Sequence, residues 1–101
     1  MNVNFNVKEK VDSIYQEIVK IRRQLHENPE LSQQEKETSA LVCKVLDEHG
    51  ISYQSGIAGY GVVAQIGQGS RAVGIRADMD ALPVCENTGL PYASKVEGVM
   101  H

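Results

Sequence analysis

The 101-residue chain has no tryptophan, one phenylalanine and four tyrosines, so it offers no row of aromatic faces on which single-stranded bases could stack. It also lacks a cationic excess: ten lysines and arginines against thirteen acids give a net charge of -3, the opposite of what a phosphate backbone recruits. Cysteine is scarce. Cys43 and Cys85 stand far apart in different contexts, too few for a disulfide framework, and read as two reduced thiols in a cytoplasmic protein. No apolar run approaches the roughly 20 residues needed to cross a bilayer. The opening MNVNFNVKEKVDS has no basic stretch followed by a long apolar one, so no secretory leader is expected. Internal repeats, low-complexity tracts and linker-like stretches are missing as well. What is present, 42% hydrophobic and 23% charged residues, is the composition of a soluble globular protein. A chain of this length is about one small domain, with a core that is possible but not generous.

The first ordered pattern sets Val7, Val11, Ile14, Ile18, Ile21 and Leu25 three or four residues apart, one face of an amphipathic helix. Asn6 and Glu9 make a start signal, and Pro29 biases Asn28 out of helical geometry, so the helix ends before NPELS. His26 then falls in the last turn, where the helix dipole favours a protonated imidazole, a structural role. A second helix opens at SQQE, with Ser32 and Glu35 as a capping box. It buries Thr38, Leu41, Val42, Val45 and Leu46 and stops at Gly50. Cys43 lies beside that stripe as a small packed residue.

Beyond Gly50 the period shortens. ISYQ, Gly61 to Gly67 and Arg71 to Ala77 read as strands, the last two joined through QGS as a tight antiparallel hairpin. A turn-rich tail from Cys85 to His101 follows, and the whole reads as a layered α/β unit whose sheet is incomplete.

The hairpin's second strand runs into two acids in VGIRADMDALPV. If residues 76–80 stay extended, Arg76, Asp78 and Asp80 share a face, neighbours about 7 Å apart. Arg76 then pairs with Asp78, which leaves Asp80 unexplained. Two converging carboxylates repel unless a cation lies between them or one of them orients a metal-bound histidine. An apolar strand followed by Asp-x-Asp is also the pattern of aspartate-dependent phosphatases. Leu82 stands where those enzymes carry Thr or Val, and Arg76 interrupts the strand, which argues against that chemistry.

Taken in order from Ile21 to His101, the blocks IRRQLHENPELSQQEKET, GYGVVAQIG, GIRADMDALPV, ENTGLPYAS and GVMH closely resemble the N-terminal part of the metal-dependent N-acyl amino acid amidohydrolases. These include hippurate, auxin-conjugate and N-acetyl-diaminopimelate hydrolases, within the aminoacylase and carboxypeptidase-like metallopeptidases. The resemblance implies a layered α/β/α catalytic domain interrupted by a smaller dimerisation domain. Residues 1–101 correspond to the first helices and strands of the catalytic domain, without the inserted one. It further implies a small-molecule N-acyl amino acid substrate and a pair of divalent ions, Mn, Zn or Co. These polarise the amide and supply hydroxide while a glutamate acts as base.

Carried over residue by residue, the resemblance is restrictive. Related branches have a histidine ligand where this chain has Asp78, followed by the acid matched by Asp80, which orients that ligand. His101 matches the first histidine of a block that continues in the family as Ala-Cys-Gly-His-Asp, whose Cys and second His bind metal. Asp78, Asp80 and His101 are therefore site-supporting residues, with no catalytic residue and no complete metal site in the chain. Neither Cys85 nor His26 matches a ligand position. The expectations are an inactive isolated chain that binds no metal and self-associates, and a cytoplasmic parent enzyme, dimeric or larger, with no nucleic-acid or membrane partner. The competing reading is a non-catalytic α/β interaction module.

Overall fold

The computed structural model describes residues 6–101. The first five residues, part of the stretch read for a leader, lie outside the described residues. Helix α1 spans Val7–Glu27 and begins where expected: the Asn6 side-chain oxygen accepts the Glu9 amide at 3.2 Å, satisfying one of the donors a helix start leaves free. It ends before Pro29, and the Asn28 side chain donates back to the Gln24 carbonyl at 2.8 Å. The apolar stripe is helical as expected but not covered along its length. Val7, Val11, Ile14 and Ile18 remain exposed, whereas Ile21 and Leu25 are half-buried.

Helix α2 covers Lys36–Glu48, and its cap differs from the sequence expectation. Glu35, not Ser32, is the N-cap residue, and no side chain of the SQQE box bonds to the helix. Glu30 does so from six residues upstream of the helix start. Its carboxylate accepts the Thr38 amide at 2.6 Å and the Glu37 amide at 3.1 Å. The turn at Leu31 to Gln34, closed by Gln34 N–H to the Leu31 carbonyl at 2.9 Å, brings Glu30 to the helix start in place of Ser32. The far end stops at Gly50, as expected. Gly50 takes φ +66°, Ile51 donates to the Leu46 carbonyl and Gly50 to the Asp47 carbonyl, a Schellman closure.

The strand pairing corrects the sequence reading. The hairpin joins β1, Tyr53–Ile57, to β2, Gly61–Ala64, antiparallel, with an irregularity between Gln54 and Ile57. Ala58 and Gly59 turn the chain with positive φ, so the ISYQ segment supplies the partner that was expected from residues 71–77. Residues 71–77 have no ladder, and Val73 and Ile75 are 94% and 96% exposed. Gly67 and Gly69, both at positive φ, carry the chain away from β2 before a tight return can form. Helix α2 packs on the hairpin.

A Cβ built on Gly61 would lie 2.5 Å from the Ile57 carbonyl oxygen, a backbone atom that cannot step aside cheaply. Gly61→Ala is therefore expected to destabilise the hairpin by about 1–3 kcal/mol. The check is amide exchange, which accelerates across β1 and β2 and stays unchanged in α1.

The buried centre lies elsewhere. Ala81, 2% exposed, and Pro29 are the buried aliphatic side chains among the described residues. Leu31 pairs with Ala81 in a parallel bridge and Met100 with Leu82 in an antiparallel one. Ala81 thereby stands between the loop after α1 and the last residues of the chain.

Candidate functional site

The strip at residues 80–82 brings the sequence candidates to one end of the molecule and separates them there. The Ala81 amide donates to the Glu30 carbonyl at 2.8 Å on one side. On the other, Leu82 and Met100 exchange both amide hydrogen bonds, at 2.9 and 3.0 Å. That antiparallel pairing runs His101 back beside Ala81, next to Asp80. Asp80 is half-buried, and its charge is felt at His101. His101 is exposed but lines a groove, and the desolvation this entails, with the positive charge of His26, lowers its imidazole pKa below the ordinary value. The Asp80 carboxylate acts on it in the opposite direction.

Asp78 does something else. It lies out in solvent against Arg76, Oδ1 to Nη2 at 3.3 Å, with the two side chains 70% and 91% exposed, the pairing expected from their shared strand face. An ion pair so exposed adds little to stability. The groove itself, about 690 Å3, runs between Ile21 and Leu25 of α1, Val42 and Leu46 of α2, and Ile75 and Met79 of the extended segment. Its walls are mainly apolar, with Asp78 and His101 among the lining residues.

Sequence reasoning placed His26 in the last turn of α1, where it is, but missed its partner. His26 is 8% exposed, and its Nε2 lies 2.7 Å from Glu86 Oε1, a contact across 60 residues. The same Glu86 oxygen accepts the Ser94 amide at 2.9 Å, and the other accepts the Thr88 hydroxyl. The Tyr92 ring stands edge-on to His26 and under the Arg23 guanidinium at 4.5 Å. His26 sits one residue past the apolar position Leu25. No period in one sequence pairs it with a glutamate in a turn-rich loop.

Two carboxyls carry pH dependence. The Thr88 hydroxyl first, then the Ser94 amide, and more weakly His26 hold Glu86 below its ordinary 4.5 against the effect of burial. For Glu30, burial pushes the carboxyl up, but donation from Thr38 and from the Glu37 amide outweighs it and the net shift is down. A carboxyl depressed in the folded state contributes stability above its unfolded pKa and loses it as pH falls through the folded one. Both contacts are therefore expected to be intact at neutral pH and to loosen in acid, below the ordinary 4.5. Amide exchange at Thr38 and Ser94, measured between neutral and acid pH, checks this.

Among the described residues no three His, Cys, Asp or Glu side chains converge as a group able to hold a metal ion. Asp80 and His101 supply two donors at one end, and Asp78 is turned out to Arg76. Cys43 is half-buried in α2, Cys85 is exposed, and neither joins this end. The residues present do not make up a two-metal site. No helix among the described residues is long and apolar enough to cross a membrane.

No family model matches the chain. Individual proteins do. It is 46% identical over 93 residues to N-acetyl-L-cysteine deacetylase of Bacillus subtilis, an alignment covering 90% of this chain and 22% of that enzyme. It is 49% identical over 87 residues to hippurate hydrolase of Campylobacter jejuni, covering 84% and 23%. A solved Bacillus subtilis structure, described as a dinuclear metal-binding peptidase of the M20 family, superposes with a TM-score of 0.82 at 42% identity. That superposition covers 89% of this chain and 26% of the other. The α/β class read from the sequence is thus the one these relatives share, and the chain spans about a quarter of their length.

Proposed function

We propose that this chain, a homologue of about a quarter of the M20 metallo-amidohydrolases, forms one wall beside the metal centre of an enzyme that cleaves the amide of N-acyl amino acids. The observation that carries this reading is the pairing of Leu82 with Met100, which seats Asp80 beside His101 at the chain end. In this reading residues 1–101 are the N-terminal part of the catalytic domain, and the inserted dimerisation domain is supplied by other residues of the parent enzyme. Asp80 is the carboxylate that supports the site, His101 begins the segment leading into it, and Asp78 is a solvated partner of Arg76. The two divalent ions belong to a ligand set that the described residues do not complete, so no catalytic step is assigned to this chain.

The parent enzyme is then a cytoplasmic homo-oligomer acting on a small molecule, with no nucleic-acid or membrane partner. The net charge of -3 and the scarcity of aromatics support the absence of a nucleic-acid role. The purified 101-residue chain is expected to be catalytically silent. Hydrolysis assays with N-acetyl and N-benzoyl amino acids, supplied with Mn, Zn or Co, should show no turnover above metal alone. Turnover well above that background would contradict the proposal.

A further inference from the structure

The contact between His26 and Glu86 has a geometry that reaches beyond holding α1 to a loop. Both side chains are buried, 9% and 4% exposed, and Glu86 is a junction. Toward α1 it meets His26 at 2.7 Å, and Lys95, one residue past Ser94, donates its amide to the Glu27 carbonyl at 2.9 Å. Toward the chain end Glu86 accepts the Ser94 amide. The Ser94 hydroxyl lies 2.7 Å from the Val99 carbonyl and 3.0 Å from that of Val96. Val99 is followed by Met100, whose two hydrogen bonds to Leu82 seat His101 beside Asp80.

We propose that His26, Glu86 and Ser94 form a positioning relay that fixes where residues 99–101 lie against Leu82, and so fixes the approach to the site. The value of that position rests on the reading under Proposed function; the relay itself does not. Its parts suit the task. A buried carboxylate with an imidazole and an amide on one oxygen holds a single orientation, because leaving either partner unmade strands a polar group away from water. The hydroxyl of Ser94 transmits that orientation to the one stretch of backbone that closes on Leu82. The relay therefore consists of positioning residues, none of which touches a reacting atom.

The test is amide hydrogen exchange on the full 101-residue chain, which needs no metal and no activity. Ser94→Ala removes only the hydroxyl leg, and His26→Leu removes the α1 leg. Each is expected to accelerate exchange at Leu82 and Met100 about tenfold, the loss of one buried hydrogen bond. Exchange at Ile51, whose amide closes α2 on the Leu46 carbonyl, should stay unchanged. Ser94→Thr, which restores a hydroxyl, is expected to return Leu82 and Met100 to their original rates. Unchanged rates at Leu82 and Met100 in Ser94→Ala would overturn the relay. So would an equal acceleration at Ile51, which marks general loosening, or failure of Ser94→Thr to rescue. Should His26→Leu unfold the chain, the Ser94 pair still decides. Failure of the amidohydrolase reading would appear only in the hydrolysis assays and leave these rates as they are.

Discussion

Asp80→Asn, made in a chimera where this chain replaces the matching quarter of Bacillus subtilis N-acetyl-L-cysteine deacetylase, is expected to lower kcat/KM about 10–100-fold. Asp78→Asn in the same chimera should leave it within about twofold. The contrast is the informative part. Both acids end the same strand-like stretch, and on spacing alone they are equivalent. The structure separates them: Asp78 lies in solvent against Arg76, while Asp80 is half-buried and its charge acts on His101. Asn keeps the size of Asp and removes the charge, so folding of the chimera is little disturbed and the change reads the carboxylate itself. Steady-state kinetics with N-acetyl-L-cysteine measure both variants. Equal losses would place the two acids on the same footing and contradict the geometry.

The second large effect is on association. The isolated chain exposes 8436 Å2 of surface, where a compact monomer of 11.1 kDa exposes about 5,700 Å2. Its Cα radius of gyration is 16.1 Å, against about 13 Å for a compact chain of 100 residues. The excess is apolar where it matters. Val11, Ile14 and Ile18 line one side of α1, and Val73 and Ile75 stand on a single face of an extended segment without a ladder partner. Such a segment is a template for pairing with another strand, and the groove beside it holds an apolar volume. The purified chain is expected to sediment as species heavier than 11.1 kDa and to melt without a sharp transition. A monomer with a steep thermal transition well above ambient temperature would contradict this.

The helices were legible because their signals are local. Asn6 with Glu9, the apolar stripe of α1 and the Gly50 stop each act within one or two turns of the residues they organise. The cap of α2 was not, because Ser32 and Glu35 present the same local pattern whether or not an upstream glutamate takes their place. Glu30 takes it only because the turn after Leu31 swings it there. The hairpin register failed for a related reason. An apolar run announces a strand but not its neighbour, and residues 71–77 have the composition of a paired strand while the chain leaves them unpaired.

At the site, the strand face correctly paired Arg76 with Asp78, and the resemblance singled out Asp78, Asp80 and His101 alike, without separating the two acids. Neither could show that a two-residue bridge between Leu82 and Met100 is what brings the last two side by side. His26 and Glu86 are the clearest omission. A long-range polar pair leaves no period in a single sequence, and its partners announce themselves only when a fold buries both.

The central claim is that this chain supplies the wall of an amidohydrolase metal centre and depends on the remaining three-quarters of such an enzyme for the centre itself. The most direct measurement is N-acetyl-L-cysteine hydrolysis by the unsubstituted chimera, beside the deacetylase remainder expressed without any replacement for its missing quarter. The chimera is expected to hydrolyse the substrate and the remainder alone to be inactive. A folded, metal-loaded chimera without hydrolysis, or a remainder as active as the chimera, would contradict the claim.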